Sequence, residues 1–203
     1  MKILVGLSGG VDSAVAAYLL KEQGHEVVAG FMKNYVSDTG NCTTYNDAID
    51  AIKVAEFLGI EIRSFDFQKE YQERIIDYIF SGYQKGITPN PDVLCNSLIK
   101  FDVFLQRALD EGFDKIATGH YARIEEKSSL VKGGAEHSEA EGYQDDSYFN
   151  IPPTPLEKRG FQVDSPIIPS IYHLVRGVDH NKDQSYFLAG LNQLQLQHSV
   201  FPL

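Results

Sequence analysis

The chain opens with Met1-Lys2-Ile3-Leu4-Val5-Gly6-Leu7-Ser8-Gly9-Gly10-Val11-Asp12-Ser13. Residues 3–7 are a short apolar run, as expected of a buried strand. Ser8-Gly9-Gly10 then turns the backbone, and residues 12–23 follow as a helix. Val15, Ala16, Leu19 and Leu20 lie at helical spacing there, and Gly24 is the stop. Adjacent glycines let main-chain amides approach an anion, and the helix start adds partial positive charge. Ser8 and Ser13 bring hydroxyls. Asp12 would repel a phosphate, so it reads as a Mg²⁺ ligand or as a helix cap. No lysine follows the glycines, so this is neither the Gly-x-x-x-x-Gly-Lys-Ser/Thr loop nor G-x-G-x-x-G. A capped helix start is the plain alternative. The whole hexapeptide between strand and helix favours a nucleotide phosphate site.

Outward from this unit the alternation continues. Residues 26–32, 61–67 and 115–118 read as strands, and 45–58, 68–86 and 95–111 as helices. In the helix at 45–58 the expected core face carries Ala48, Ile52, Ala55 and Leu58. Strand–helix alternation predicts an α/β fold: a parallel sheet with helices on both faces, ligands binding beyond the carboxyl ends of the strands. Segments 8–13, 33–45 and 119–121 should therefore gather at one edge. Two further strands are expected at 122–131 and 171–175, and a helix over 185–191.

Between the last two strands, residues 133–170 differ in character. Pro152, Pro153, Pro155, Pro166 and Pro169 interrupt them. Glu136, Glu139, Glu141, Asp145, Asp146, Glu157 and Asp164 outnumber Lys158 and Arg159. The reading is an acidic, solvated insertion.

The net charge over 203 residues is −10, which excludes a protein that coats a polyanion by bulk charge. The two cysteines, Cys42 and Cys95, exclude a disulfide-stapled fold and suit a cytoplasmic, reduced setting. No apolar run is long enough to span a membrane, and the start lacks a signal-peptide pattern. Residues 199–203 are apolar, with no helix stop or polar tail, which reads as a chain that continues.

Cys95 follows Pro89-Asn90-Pro91-Asp92 and is expected to open a helix, where the dipole would lower its thiol pKa. By itself, a single cysteine near a helix start is more often a small buried apolar side chain. Cys42 reads as an incidental thiol, His25 and His173 as structural, and His120 as a nucleotide-site lining.

The hexapeptide 8–13 resembles the pyrophosphate loop of the N-type ATP pyrophosphatases, whose fold is adenine nucleotide alpha hydrolase-like. Gly30-Phe31-Met32-Lys33-Asn34, residues 88–96, Ile99-Lys100-Phe101, Ala117-Thr118-Gly119-His120-Tyr121, Arg176-Gly177-Val178-Asp179, residues 182–188 and Phe201-Pro202-Leu203 extend the likeness. In that order they resemble the tRNA-specific 2-thiouridylase family over nearly the whole chain, apart from the acidic insertion.

The resemblance implies an enzyme that adenylates the C2 oxygen of the wobble uridine of tRNA and replaces it with sulfur from a cysteine persulfide. It implies ATP and Mg²⁺ as cofactors, and tRNA and a persulfide donor or relay protein as partners. ATP would be held by Gly6, Leu7, Ser8, Gly9, Gly10, Val11, Asp12, Ser13, Met32 and Gly119, with Asp12 on Mg²⁺. Cys95 and Asp92 would be catalytic. Asn90, Pro91 and Asp92 would meet the target base, and Lys182, Asp183 and Gln184 the tRNA. Cys95 would release sulfide or close a disulfide with a second cysteine that this sequence does not contain. Residues 1–191 would form the ATP-pyrophosphatase domain, and 192–203 would begin a continuation. The competing readings are a non-catalytic nucleotide- or RNA-binding relative and another adenylating enzyme of the same fold.

Overall fold

The computed structural model describes residues 1–35, 44–127 and 170–203. Among them are seven strands: β1 (Lys2–Gly6), β2 (Glu26–Lys33), β3 (Glu61–Asp66), β4 (Lys115–Ala117), β5 (Ala122–Lys127), β6 (Ile171–Arg176) and β7 (Ser199–Val200). Five form one sheet in the order β3-β2-β1-β4-β7, and every pairing in it is parallel. β5 and β6 form a separate antiparallel pair. The helices are α1 (Val11–Glu22), α2 (Thr44–Leu58), α3 over 68–84, α4 over 91–110 and α5 (Gln193–Gln197). Two of them widen to i→i+5 bonding in mid-course: α3 at Gln72–Ile76 and α4 at Asn96–Phe104.

Alternation along β1 explains the layers. Ile3 and Val5 pack with Ala17 and Leu20 of α1 and Leu58 of α2. Leu4, pointing the other way, packs with Phe101, Phe104 and Leu105 of α4. The expected parallel sheet with helices on both faces is thus present. The strand order reverses at β1, with β2 on one side and β4 on the other. That places a crevice beyond their carboxyl ends, the usual ligand position in such sheets.

α3 and α4 are locked together by charge. Arg74 Nη1 donates to Asp102 Oδ2 at 2.6 Å and to the Leu98 carbonyl at 2.9 Å, and Asp102 is fully buried. Neither partner was expected in a core from the sequence.

Several expectations change. In α2 the buried residues are Ala51, Ala55 and Leu58, whereas Ile52 is 44% exposed. Close approach to the first loop favours small side chains there: a Cβ on Gly9 would stand 2.7 Å from the Asp47 carbonyl oxygen. α4 begins at Pro91, not at Cys95, because Asn90 caps it: its Oδ1 accepts the Val93 amide at 3.4 Å. The helix expected over 185–191 is a single tight turn, Ser185–Leu188. Residues 193–200 instead supply α5 and the edge strand β7. Cys42, residues 128–131 of the fifth expected strand, and all of 133–170 except Ser170 lie outside the described residues.

Candidate active site

Ser8, Gly9 and Gly10 carry the chain from β1 into α1. Gly9 takes φ +85°, a conformation natural to glycine. Ser13 braces the turn: its hydroxyl accepts the Ser8 amide at 3.2 Å and donates to the Gly10 carbonyl at 3.0 Å. Gly10 is the N-cap and supplies no side chain to the helix start. The amides of Gly9, Val11, Asp12 and Ser13 therefore have no acceptor among the described residues. Uncapped N–H groups at a helix start form an anion cradle. Leu7 contributes only backbone, since its side chain is 1% exposed in the core. The Val11 side chain points outward, 77% exposed.

The end of β4 faces this cradle. A Cβ on Gly119 would lie 2.6 Å from the Asp12 carbonyl carbon and 2.7 Å from the Ser13 nitrogen, so only glycine permits the approach. Gly6, Ser8, Asp12, Met32, Gly119 and His120 line a cavity of about 230 Å³ between the two strand ends. A second cavity of about 390 Å³ adjoins it, with Asn34, Asp47, Tyr71 and Cys95 in its wall. Ser8, Met32 and Lys100 line both, so the two make one cleft. The structure thus brings the glycine loop, Met32, Gly119 and Cys95 together.

Cys95 is a free thiol in the first turns of α4. Burial raises its pKa, and the Asp92 carboxylate adds to the rise, while the Lys100 ammonium opposes it. The lowering expected from the helix dipole is therefore overturned. The thiol sits at the fifth helical position, largely out of water, and desolvation of a thiolate outweighs the dipole. Asp92 and Asn90 are exposed and Pro91 is half-buried at the helix start. Asn90 is already engaged as the cap.

Lys182, Asp183 and Gln184 follow one another beside the cleft, where Lys182 and Gln184 contact Tyr121. Gln184 Oε1 accepts the Tyr121 amide at 3.2 Å, and the Gln184 amide donates to the Tyr121 carbonyl at 2.9 Å. Lys182 Nζ stands 5.1 Å from the centre of the Tyr121 ring. The Asp183 carboxylate accepts from the Gly177 and Ser185 amides and the Ser185 hydroxyl, which hold its pKa below the usual carboxylate range. Asp183 thus shapes a turn, and of the three only Gln184 reaches the cleft.

Tyr121 was not singled out in the sequence, yet its hydroxyl donates to Asp12 Oδ1 at 3.1 Å. Asn34 was also missed: its Oδ1 is buried without a partner among the described residues, in the wall of the second cavity. Both stand in motifs that carry the family resemblance, which was the available signal.

His120 is held neutral. Burial, helped by the nearby Lys100, depresses its pKa from 6.5 to about 3. Its Nδ1 lies 2.7 Å from the Thr118 hydroxyl, and its ring packs against Phe101 and Phe201. A depressed pKa means the unfolded chain takes up a proton that the folded chain refuses. Stability should fall as pH drops from about 6.5 towards 3. Between pH 7.5 and 5 this one group should cost at most about 2 kcal/mol. Urea denaturation of wild type and His120→Asn checks it: the variant should lose less on acidification. Equal losses would remove the assignment.

Among the described residues no three His, Cys, Asp or Glu side chains cluster for a metal. One carboxylate suffices for Mg²⁺ when phosphate oxygens and water complete the shell. Asp12, beside the amide cradle, fits that role. A further cavity of about 520 Å³, walled by Phe31, Tyr45, Ala48, Ile52 and Ile62 with Lys33 and Arg63, adjoins the second at Phe31 and Thr44. None of the glycine-loop residues lines it. No helix among the described residues is long and apolar enough to cross a membrane.

The chain is 46% identical over 206 residues to the tRNA-specific 2-thiouridylase MnmA of Christiangramia forsetii, covering 100% of this chain and 43% of the relative. It is 44% identical to the enzyme of the same name from Flavobacterium johnsoniae, with the same coverages. The chain thus spans less than half the length of these relatives. Among solved structures, the U34-tRNA thiolase NcsA from Methanococcus maripaludis is 27% identical, covering 59% of this chain and 38% of that one, with a TM-score of 0.44. The model of the tRNA methyl transferase HUP domain matches residues 1–203 in full, and the chain belongs to that family.

Proposed function

We propose that this chain is the nucleotide-activating part of a cytoplasmic tRNA 2-thiouridylase. Residues 1–191 would be its ATP-pyrophosphatase domain, with 133–170 an insertion and 192–203 leading into further sequence. One observation carries the reading: an uncapped helix start and a cysteine line the same cleft at the sheet's switch point. The relatives named as tRNA-specific 2-thiouridylases support it.

In this reading the backbone of Gly6 and Leu7, the loop from Ser8 to Ser13, and Gly119 hold the triphosphate of ATP. Met32 covers the nucleotide, and Asp12 would hold Mg²⁺, which would supply charge neutralisation at the phosphates. The target uridine enters beside Asn90, Pro91 and Asp92, while Lys182 and Gln184 meet the tRNA backbone or a base edge. The C2 oxygen of the base forms a bond to the α-phosphorus, and the bond to pyrophosphate breaks. The site's contribution is alignment and charge stabilisation, as in other phosphoryl and nucleotidyl transfers. A persulfide sulfur then bonds to C2, and AMP departs with the oxygen. Cys95 attacks the donor cysteine's sulfur, closing a disulfide and leaving the new sulfur on C2. The donor cysteine comes from outside these residues.

The test uses ATP labelled at the α-phosphorus, unmodified tRNA and a protein that contains this chain. Label should appear on tRNA with one pyrophosphate released for each label. Release of orthophosphate, or pyrophosphate release indifferent to tRNA, would overturn the reading.

A further inference from the structure

Lys100 lines both halves of the cleft. Among the described residues it is the only lysine or arginine in either wall, and burial holds the His120 pKa down at about 3. Half-buried lysines usually find a carboxylate. Lys100 makes no hydrogen bond or ion pair among the described residues, although Lys33, Arg63 and Arg74 each have one. It shares one cavity with Asp12 and Ser13 of the cradle and the other with Cys95, so an anion at the cradle and a thiolate at Cys95 would both have it in their wall.

Its position follows from the widened helix. In α geometry, Cys95 and Lys100, five residues apart, would lie about 140° apart around the axis. The stretch Asn96–Phe104 closes with i→i+5 bonds, which brings a residue over the one five positions earlier. The wide turn thereby sets thiol and ammonium on the same wall. Wide turns of this kind recur at functional sites. The first loop itself has no lysine, unlike the Gly-x-x-x-x-Gly-Lys-Ser/Thr loop, so a side-chain cation for its phosphates would come from another element.

We propose that Lys100 is the phosphate-binding cation of this cleft and that the same ammonium serves the Cys95 thiolate on its other side. This rests on the nucleotide reading above and deepens it. Phosphate oxygens at the cradle meet Lys100 on one side. The thiolate gains a counter-ion on the other, so the activated phosphoryl group and the attacking sulfur are kept within reach of one charge.

The experiment uses the 203-residue chain with Cys42→Ser, so that Cys95 is the one thiol, and circular dichroism to confirm folding. Titration calorimetry with Mg-ATP and the iodoacetamide alkylation rate at pH 7.5 are measured for Lys100, Lys100→Met and Lys100→Arg. The methionine variant should bind ATP at least about tenfold more weakly and alkylate about threefold or more slowly. The arginine variant should recover most of both, because charge rather than shape is at work. Normal ATP affinity in Lys100→Met would overturn the phosphate role, and an unchanged alkylation rate the thiol role. If the parent chain binds no ATP, the nucleotide reading fails first. Phosphate binding by Lys100 then falls with it, and the alkylation ratio alone decides the thiol role.

Discussion

Gly119→Val is expected to lower the affinity of the chain for Mg-ATP by at least about 100-fold, about 2.7 kcal/mol. Even the first added carbon would stand 2.6 Å from the Asp12 carbonyl carbon, 2.7 Å from the Ser13 nitrogen and 2.9 Å from the Asp12 oxygen. All three are backbone atoms of the first turn of α1, so no side chain can swing aside. Either the helix start or the end of β4 must move. Both carry parts of the cradle, which works only while its amides converge on one anion. The hydrogen bond from Tyr121 to Asp12 would also stretch, because Tyr121 follows two residues after the substituted glycine. Titration calorimetry measures the affinity, and circular dichroism separates loss of the site from loss of the fold. Wild-type affinity in a folded variant would show that the strand ends do not form the phosphate site.

Cys95→Ser should reduce 2-thiouridine formation about 10³-fold or more while ATP affinity stays within about twofold. A serine hydroxyl matches the thiol in size, so the packing of α4 against Tyr71 and the second cavity persists. It cannot supply an anion at neutral pH or form a disulfide with a donor sulfur. The raised thiol pKa makes Cys95 slow in isolation. In the proposed reaction its work would depend on the nearby ammonium and on a bound partner. Nucleoside mass spectrometry of tRNA treated with a protein containing this chain reads the product. Normal thiolation by the serine variant would refute the role of Cys95. A parallel loss of ATP binding would recast it as a packing residue.

The first strand, loop and helix were readable because their signals are local. An apolar run, two glycines and a periodic stripe each constrain the backbone within a few residues. The parallel order followed from alternation, and the cleft followed from the order. What escaped the sequence depends on tertiary packing. Ile52 is the stronger hydrophobe, yet Ala51 is buried, since the loop at Gly9 leaves space only for a small residue. The fully buried Asp102 stands in an apolar helix with no local sign of its partner Arg74, 28 residues earlier. The wide turn at Asn96–Phe104 has no composition of its own, so the shared wall of Cys95 and Lys100 could not be read from spacing. The pKa of Cys95 went the other way because burial, invisible in one dimension, outweighs a helix start. Asp183 shows the converse, a motif residue whose visible work is to hold a turn.

In the proposed function the main-chain amides after β1 hold the phosphates of ATP. Amide-resolved NMR titration of the chain with Mg-ATP tests it most directly. The account predicts large, saturable shifts at Gly9, Val11, Asp12, Ser13 and Gly119, with Gly24 and Gly112 unmoved. Silence at the loop, with shifts centred instead on Phe31, Ile52 and Ile62 around the apolar cavity, would contradict it.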